Sequence, residues 1–159
     1  MNSFQIVEPT VEWAQDLHRV YLEVKFAHRF DAPGCANHTQ TEIELHDEFV
    51  TLKVLCHSIS SKIKYDLKLH FWEQIDAEKS VYNYQAVGKY QFTLRKKVEP
   101  RRWRQLYEKE LPKPLNMRLN LELHEKYARS LLDFGDGDEV WDFAGRDHLE
   151  DVEEEWREK

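Results

Sequence analysis

The chain has 159 residues, 41% of them hydrophobic and 13% aromatic, with a formal net charge of -7. That is enough apolar material for one domain with a real core, and it excludes general disorder. No apolar run approaches the ~20 residues that a membrane-spanning helix needs, and Met1 to Pro9 lacks the charged and apolar regions of a signal peptide.

The charge is unevenly placed. Asp133 to Lys159 holds twelve acidic and three basic residues, whereas Met1 to Leu132 holds eighteen acidic and twenty basic ones. A near-neutral body carrying an acidic, solvated and largely disordered tail is expected. Such a tail either shields a basic face of its own chain or meets a cationic partner. The two cysteines, Cys35 and Cys56, have no metal or redox spacing. They read as free thiols in a reducing compartment, and the sequon at Asn37 reads as chance.

In chain order, Val11 to Gln15 has strand character, and Val20, Leu22, Val24 and Phe26 alternate with polar neighbours as a half-buried strand does. A turn-rich stretch, Phe30 to Asn37, follows. Ile43 and Leu45 alternate next, and Asp47-Glu48 turns them into Val50, Leu52 and Val54. Ile63 to Phe71 is the longest alternating run. Ile75 to Ser80 is polar and reads as a loop, Val81 to Val87 as a strand, and Gly88 as a turn before Lys89 to Lys97. Seven strand-like segments without an intervening helix predict an all-β, antiparallel β-sandwich. Beyond Trp103 the pattern changes. One or two helical turns are expected between Trp103 and Leu111, stopped by Pro112 and Pro114, and a short helix within Asn120 to Leu132. Val152 and Trp156 hint at a transient helix in the tail. The domain reading is a sandwich over 9–111, an extension over 112–132 and the acidic tail over 133–159.

The most informative stretch is Gly88 to Leu106. It starts as a strand and runs into Arg95, Lys96, Lys97, Arg101, Arg102 and Arg104, opposed only by Glu99 and built around Trp103. A tryptophan ringed by cations is suited to gripping a protein partner. Trp103 has a second placement, over the open end of the sandwich with Leu106 in the core. Nucleic acid is a poor fit, because the chain is acidic overall and its aromatics are not interleaved for base stacking.

Catalytic chemistry is not visible. Eight histidines show no ligand-type pairing, and strand alternation sends Cys56 and His57 to opposite faces. Asp133-Phe134-Gly135 has no accompanying kinase loops, and Asp136-Gly137-Asp138 lacks the remaining ligands of a calcium loop. No enzyme activity, cofactor or metal is expected.

Leu94-Arg95-Lys96 followed by Trp103 and Leu106, together with Trp13 near the N-terminus, the strand order and the acidic tail, resembles the CS domain family. That family is the alpha-crystallin-related sandwich, and its small acidic co-chaperones of heat-shock protein 90 (prostaglandin-E-synthase-3-like) are the nearest match. The resemblance spans roughly Pro9 to Asp138. It implies binding to the closed, ATP-bound dimer of heat-shock protein 90 and stabilisation of client complexes. Carried over, the contact residues are Arg95, Lys96, Trp103 and Leu106; Lys97, Arg101 and Arg102 are added from charge alone. Family members credited with prostaglandin-E synthase activity use a tyrosine where this chain has Ala14, which speaks against that activity. The expectation is therefore a monomeric co-chaperone of the cytoplasm, and also of the nucleus, with no nucleic-acid partner. The alternatives are a CS-type adaptor module of a longer protein, or an independent holdase.

Overall fold

The computed structural model describes residues 5–58, 61–111 and 114–134. Two sheets pack face to face as the expected β-sandwich. The four-stranded sheet contains β1 (Gln5–Val7), β4 (His38–Leu45), β5 (Phe49–His57) and β6 (Lys62–His70), in the order β1-β6-β5-β4. The five-stranded sheet contains β2 (Thr10–Gln15), β3 (Arg19–Lys25), β7 (Ile75–Gln85), β8 (Lys89–Lys96) and β9 (Met117–Leu119), in the order β7-β8-β3-β2-β9. One helix, α1 (Leu121–Phe134), follows.

Period-2 alternation decides which side chains meet between the sheets. Val20, Leu22 and Val24 of β3 and Phe92 and Leu94 of β8 point inward from one sheet; Val50, Leu52 and Val54 of β5 and Leu67 and Leu69 of β6 point inward from the other. All are buried, each contributing roughly 1.5–3 kcal/mol by leaving water. Most pairings are antiparallel, but β1 runs parallel to β6 and β9 parallel to β2. These three-residue strands are the ones that alternation does not reveal.

Other details depart from expectation. Ile75 to Ser80 is not a loop, because β7 begins at Ile75, which pairs with Lys96. Trp103 to Leu111 forms no helix; Tyr107 bridges to Phe71, the Glu108 N–H donates to the His70 carbonyl at 2.9 Å, and a single turn follows in which the Leu111 N–H donates to the Glu108 carbonyl at 3.2 Å. Cys35 and Cys56 are not free thiols but a disulfide, 6.2 Å between Cα atoms. The pairing follows from β4 lying beside β5, where His38 faces Cys56. The loop carrying Cys35 presses on the β7–β8 turn so closely that a Cβ on Gly88 (φ 63°) would lie 2.5 Å from the Cys35 backbone. Only glycine fits there.

The helix forms where one was expected. Asn120 caps it, its side-chain oxygen accepting the Leu123 N–H at 3.1 Å. It packs on the outer face of β2 and β3, with Tyr127 stacked on Tyr21 at 5.6 Å and Ala14 and Leu131 buried. The acidic tail and its Val152–Trp156 spacing lie outside the described residues.

Candidate partner-binding face

The inward row of β8 is Phe92, Leu94 and then Lys96. Register therefore sends the Lys96 side chain into the end of the sandwich while Arg95 and Lys97 turn outward. Lys96 is 1% exposed. Its Nζ donates to Gln15 Oε1 at 2.7 Å, to the Asp16 carbonyl at 2.6 Å and to the Arg101 carbonyl at 2.6 Å. Three acceptors match the three N–H donors of an ammonium group. Burial pushes the Lys96 pKa down to about 7, and the negative charges of Asp16 and Glu73 pull it back up.

Gln15 joins this cluster to Trp103. Its amide nitrogen donates to the Trp103 carbonyl at 2.8 Å, and its oxygen accepts the Trp103 N–H at 2.9 Å. The Trp103 indole sits 6.3 Å from the Phe71 ring, and Lys96 Nζ lies 5.8 Å from its centroid. Trp103 and Leu106 are fully buried. Of the two placements the sequence left open, the chain adopts the packed one. Trp103 plugs the open end of the sandwich because Gln15 holds its backbone on both sides, and Leu106 is core. As contacts for a partner, Lys96, Arg102, Trp103 and Leu106 present almost no surface.

Arg102 is buried for a different reason. Its Nη1 donates to the Leu131 carbonyl at 3.0 Å, tying the basic stretch to α1. Arg95, Lys97 and Arg101 remain at the surface, with side chains 35%, 49% and 50% exposed. Each has a carboxylate. Arg95 clasps Glu99 through Nε at 2.6 Å and Nη2 at 2.8 Å, a bidentate fork. Glu99 also meets His18 Nδ1 at 2.8 Å. Lys97 reaches Asp47 and Arg101 reaches Glu73, both at 3.0 Å. The Arg95 clasp is the main reason that the Glu99 carboxyl lies below its usual range; for Asp47 the main reason is the Ala77 backbone N–H, followed by Lys97. The Arg104 guanidinium lies 5.2 Å from the centroid of the Trp72 ring.

The basic run is thus a set of half-exposed ion pairs on a clamped segment. His18, Asp47 and Glu73 belong to the same face, and sequence reasoning missed them because they lie 81, 50 and 28 residues from their partners. Among the described residues, no group of three or more His, Cys, Asp or Glu is placed to hold a metal, and no helix is long and apolar enough to cross a membrane.

No family model and no curated protein matches the chain. Among solved structures it is similar to the nuclear movement protein from E. cuniculi GB-M1, at 10% identity and a TM-score of 0.40, covering 62% of this chain and 98% of that one. It is also similar to the CS domain of the human KIAA1068 protein, at 15% identity and a TM-score of 0.43, covering 70% and 82%.

Proposed function

We propose that the chain is a CS-type protein–protein interaction module and, more narrowly, a co-chaperone that engages the ATP-bound, closed state of heat-shock protein 90. The observation that carries this reading is the clamped segment 95–106. Lys96, Gln15 and Trp103 lock it from within, and Arg95, Lys97 and Arg101 stay at its surface. A rigid set of surface cations whose counter-ions are half-buried carboxylates can exchange them for a partner's carboxylates at little ordering cost. In this reading the direct contacts are Arg95, Lys97 and Arg101. Lys96, Trp103 and Leu106, the other members of the family-type set, hold them in place together with Arg102.

The same reading takes 9–111 as the binding module, 112–132 as its extension and 133–159 as an acidic appendage, working as a monomer without enzymatic activity; the Cys35–Cys56 disulfide removes the thiol argument for a reducing compartment, so the placement in the cytoplasm or nucleus rests on the resemblance alone. A pull-down of heat-shock protein 90 by the full chain, with and without a non-hydrolysable ATP analogue, tests it. Capture only with the analogue is the expected result. Capture that ignores nucleotide, or no capture, would remove the co-chaperone reading and leave the adaptor.

A further inference from the structure

Among the described residues the sandwich has four edge strands, and three are guarded. β1 and β9 are three residues long. β4 is bent by a bulge between Thr39 and Glu42, with Gln40 at φ 54°, and carries Glu42 and Glu44. Short length, bulges and charges are the usual ways of blunting an edge. Past its own register shift between Asp76 and Val81, β7 has none of these along its second half. Ser80 to Val87 reads Ser-Val-Tyr-Asn-Tyr-Gln-Ala-Val, without a charge or a proline. One side of this strand pairs with β8 from Val81 to Gln85, and the other has no strand beside it among the described residues.

This edge is also apolar. Val81 is 64% exposed, Val87 47%, and Tyr82 and Tyr84 43% each. The two tyrosines extend the aromatic layer of the core past the last strand. Tyr82 lies 5.3 Å from the Phe92 ring, and Tyr84 5.3 Å from Tyr90 and 5.2 Å from His38 of β4. One more strand would cover them.

We propose that the free edge of β7 is a second docking site, which takes an extended, uncharged peptide segment of a partner protein as a sixth strand. Backbone pairing along Ser80–Gln85 supplies affinity, and apolar side chains at alternate positions of the peptide cover Tyr82 and Tyr84. The geometry favours a single peptide strand over a second copy of the chain. The His38–Tyr84 contact places β4 directly over β7, so symmetric pairing through β7 would bring the two β4 edges, with Glu42 and Glu44, against each other. A contact limited to one short strand also falls well below the ~1,200 Å² of a stable dimer. The site runs along Lys89–Thr93 of β8 and borders the basic face, where the Arg95 N–H donates to Ser80 Oγ at 2.9 Å, but it uses none of that face's cations and stands independently of the co-chaperone reading.

The test uses the isotope-labelled full chain and an eight-residue peptide of alternating valine and threonine, blocked at both ends and flanked by single lysines. A counterpart methylated on every backbone nitrogen has no N–H left on either edge and cannot pair. The expected result is a set of amide shifts centred on Ser80–Gln85 that the methylated peptide does not produce. Val81→Lys, at a position 64% exposed, should weaken the binding by about tenfold or more with an unchanged melting temperature. No shifts at millimolar peptide, equal shifts with the methylated peptide, or shifts along β4 would overturn the proposal. Concentration-dependent dimerisation through the same amides would also overturn it, in favour of a second copy.

Discussion

Replacing Lys96 with methionine removes the buried ammonium while keeping most of its volume. Three acceptors lose a donor: Gln15 Oε1, the Asp16 carbonyl and the Arg101 carbonyl. Gln15 Oε1 keeps the Trp103 N–H, so two carbonyls are left without Lys96. Each buried acceptor left unsatisfied costs about 1–3 kcal/mol. Against this, the variant no longer desolvates a charge, which recovers part of the loss. The net expectation is a destabilisation of about 2–4 kcal/mol, read as a lower urea midpoint at pH 7 with an unchanged slope. The Trp103 fluorescence environment should loosen with it. A variant as stable as the parent, or more stable, would show that the lysine cluster does not hold the 95–106 segment.

Trp103→Ala should cost about 3–5 kcal/mol, as for other large core truncations, and lower the melting temperature by roughly 10 °C or more; Trp103→Phe should recover most of it, because Gln15 grips the backbone rather than the indole. A loss of partner binding in Trp103→Ala without a loss of stability would return Trp103 to the surface. Lys96 also predicts a pH dependence. With its folded pKa at about 7 and the unfolded value at about 10.4, the unfolded chain holds the extra proton between the two. Stability should therefore rise with pH from about 7 to 10, by at most about 1.4 kcal/mol per unit, and Lys96→Met should flatten that slope. A parent slope no steeper than the variant's would mean that the oxygen cage keeps the proton throughout. Reducing the Cys35–Cys56 disulfide, a 21-residue separation, should cost about 3 kcal/mol; chemical melts with and without reductant check this, and equal midpoints would contradict it.

Much of the fold is legible because an inward row must be apolar. Val20, Leu22 and Val24, or Val50, Leu52 and Val54, announce themselves. β7 is half hidden for the same reason: Asp76 to Ser80 lies at a sheet edge with little core to face, so its polar residues imitate a loop. The alternation Phe92, Leu94, Lys96 already points Lys96 inward, but grouping all cations by charge hides that register. The burial of Trp103 depends on Gln15, 88 residues away, and the disulfide depends on which strands are neighbours. Local pattern carries neither. The pairing of Lys97 with Asp47 and of Arg101 with Glu73 is equally distant, and it turns an apparently bare basic run into a balanced face.

The most direct measurement is the affinity of the full chain for heat-shock protein 90 locked with a non-hydrolysable ATP analogue, compared with that of Lys97→Glu/Arg101→Glu. Both positions are half-exposed, so the variant should fold normally. The account predicts tight, analogue-dependent binding by the parent and an affinity lower by about tenfold or more in the variant. Equal affinities, with both proteins folded, would contradict it.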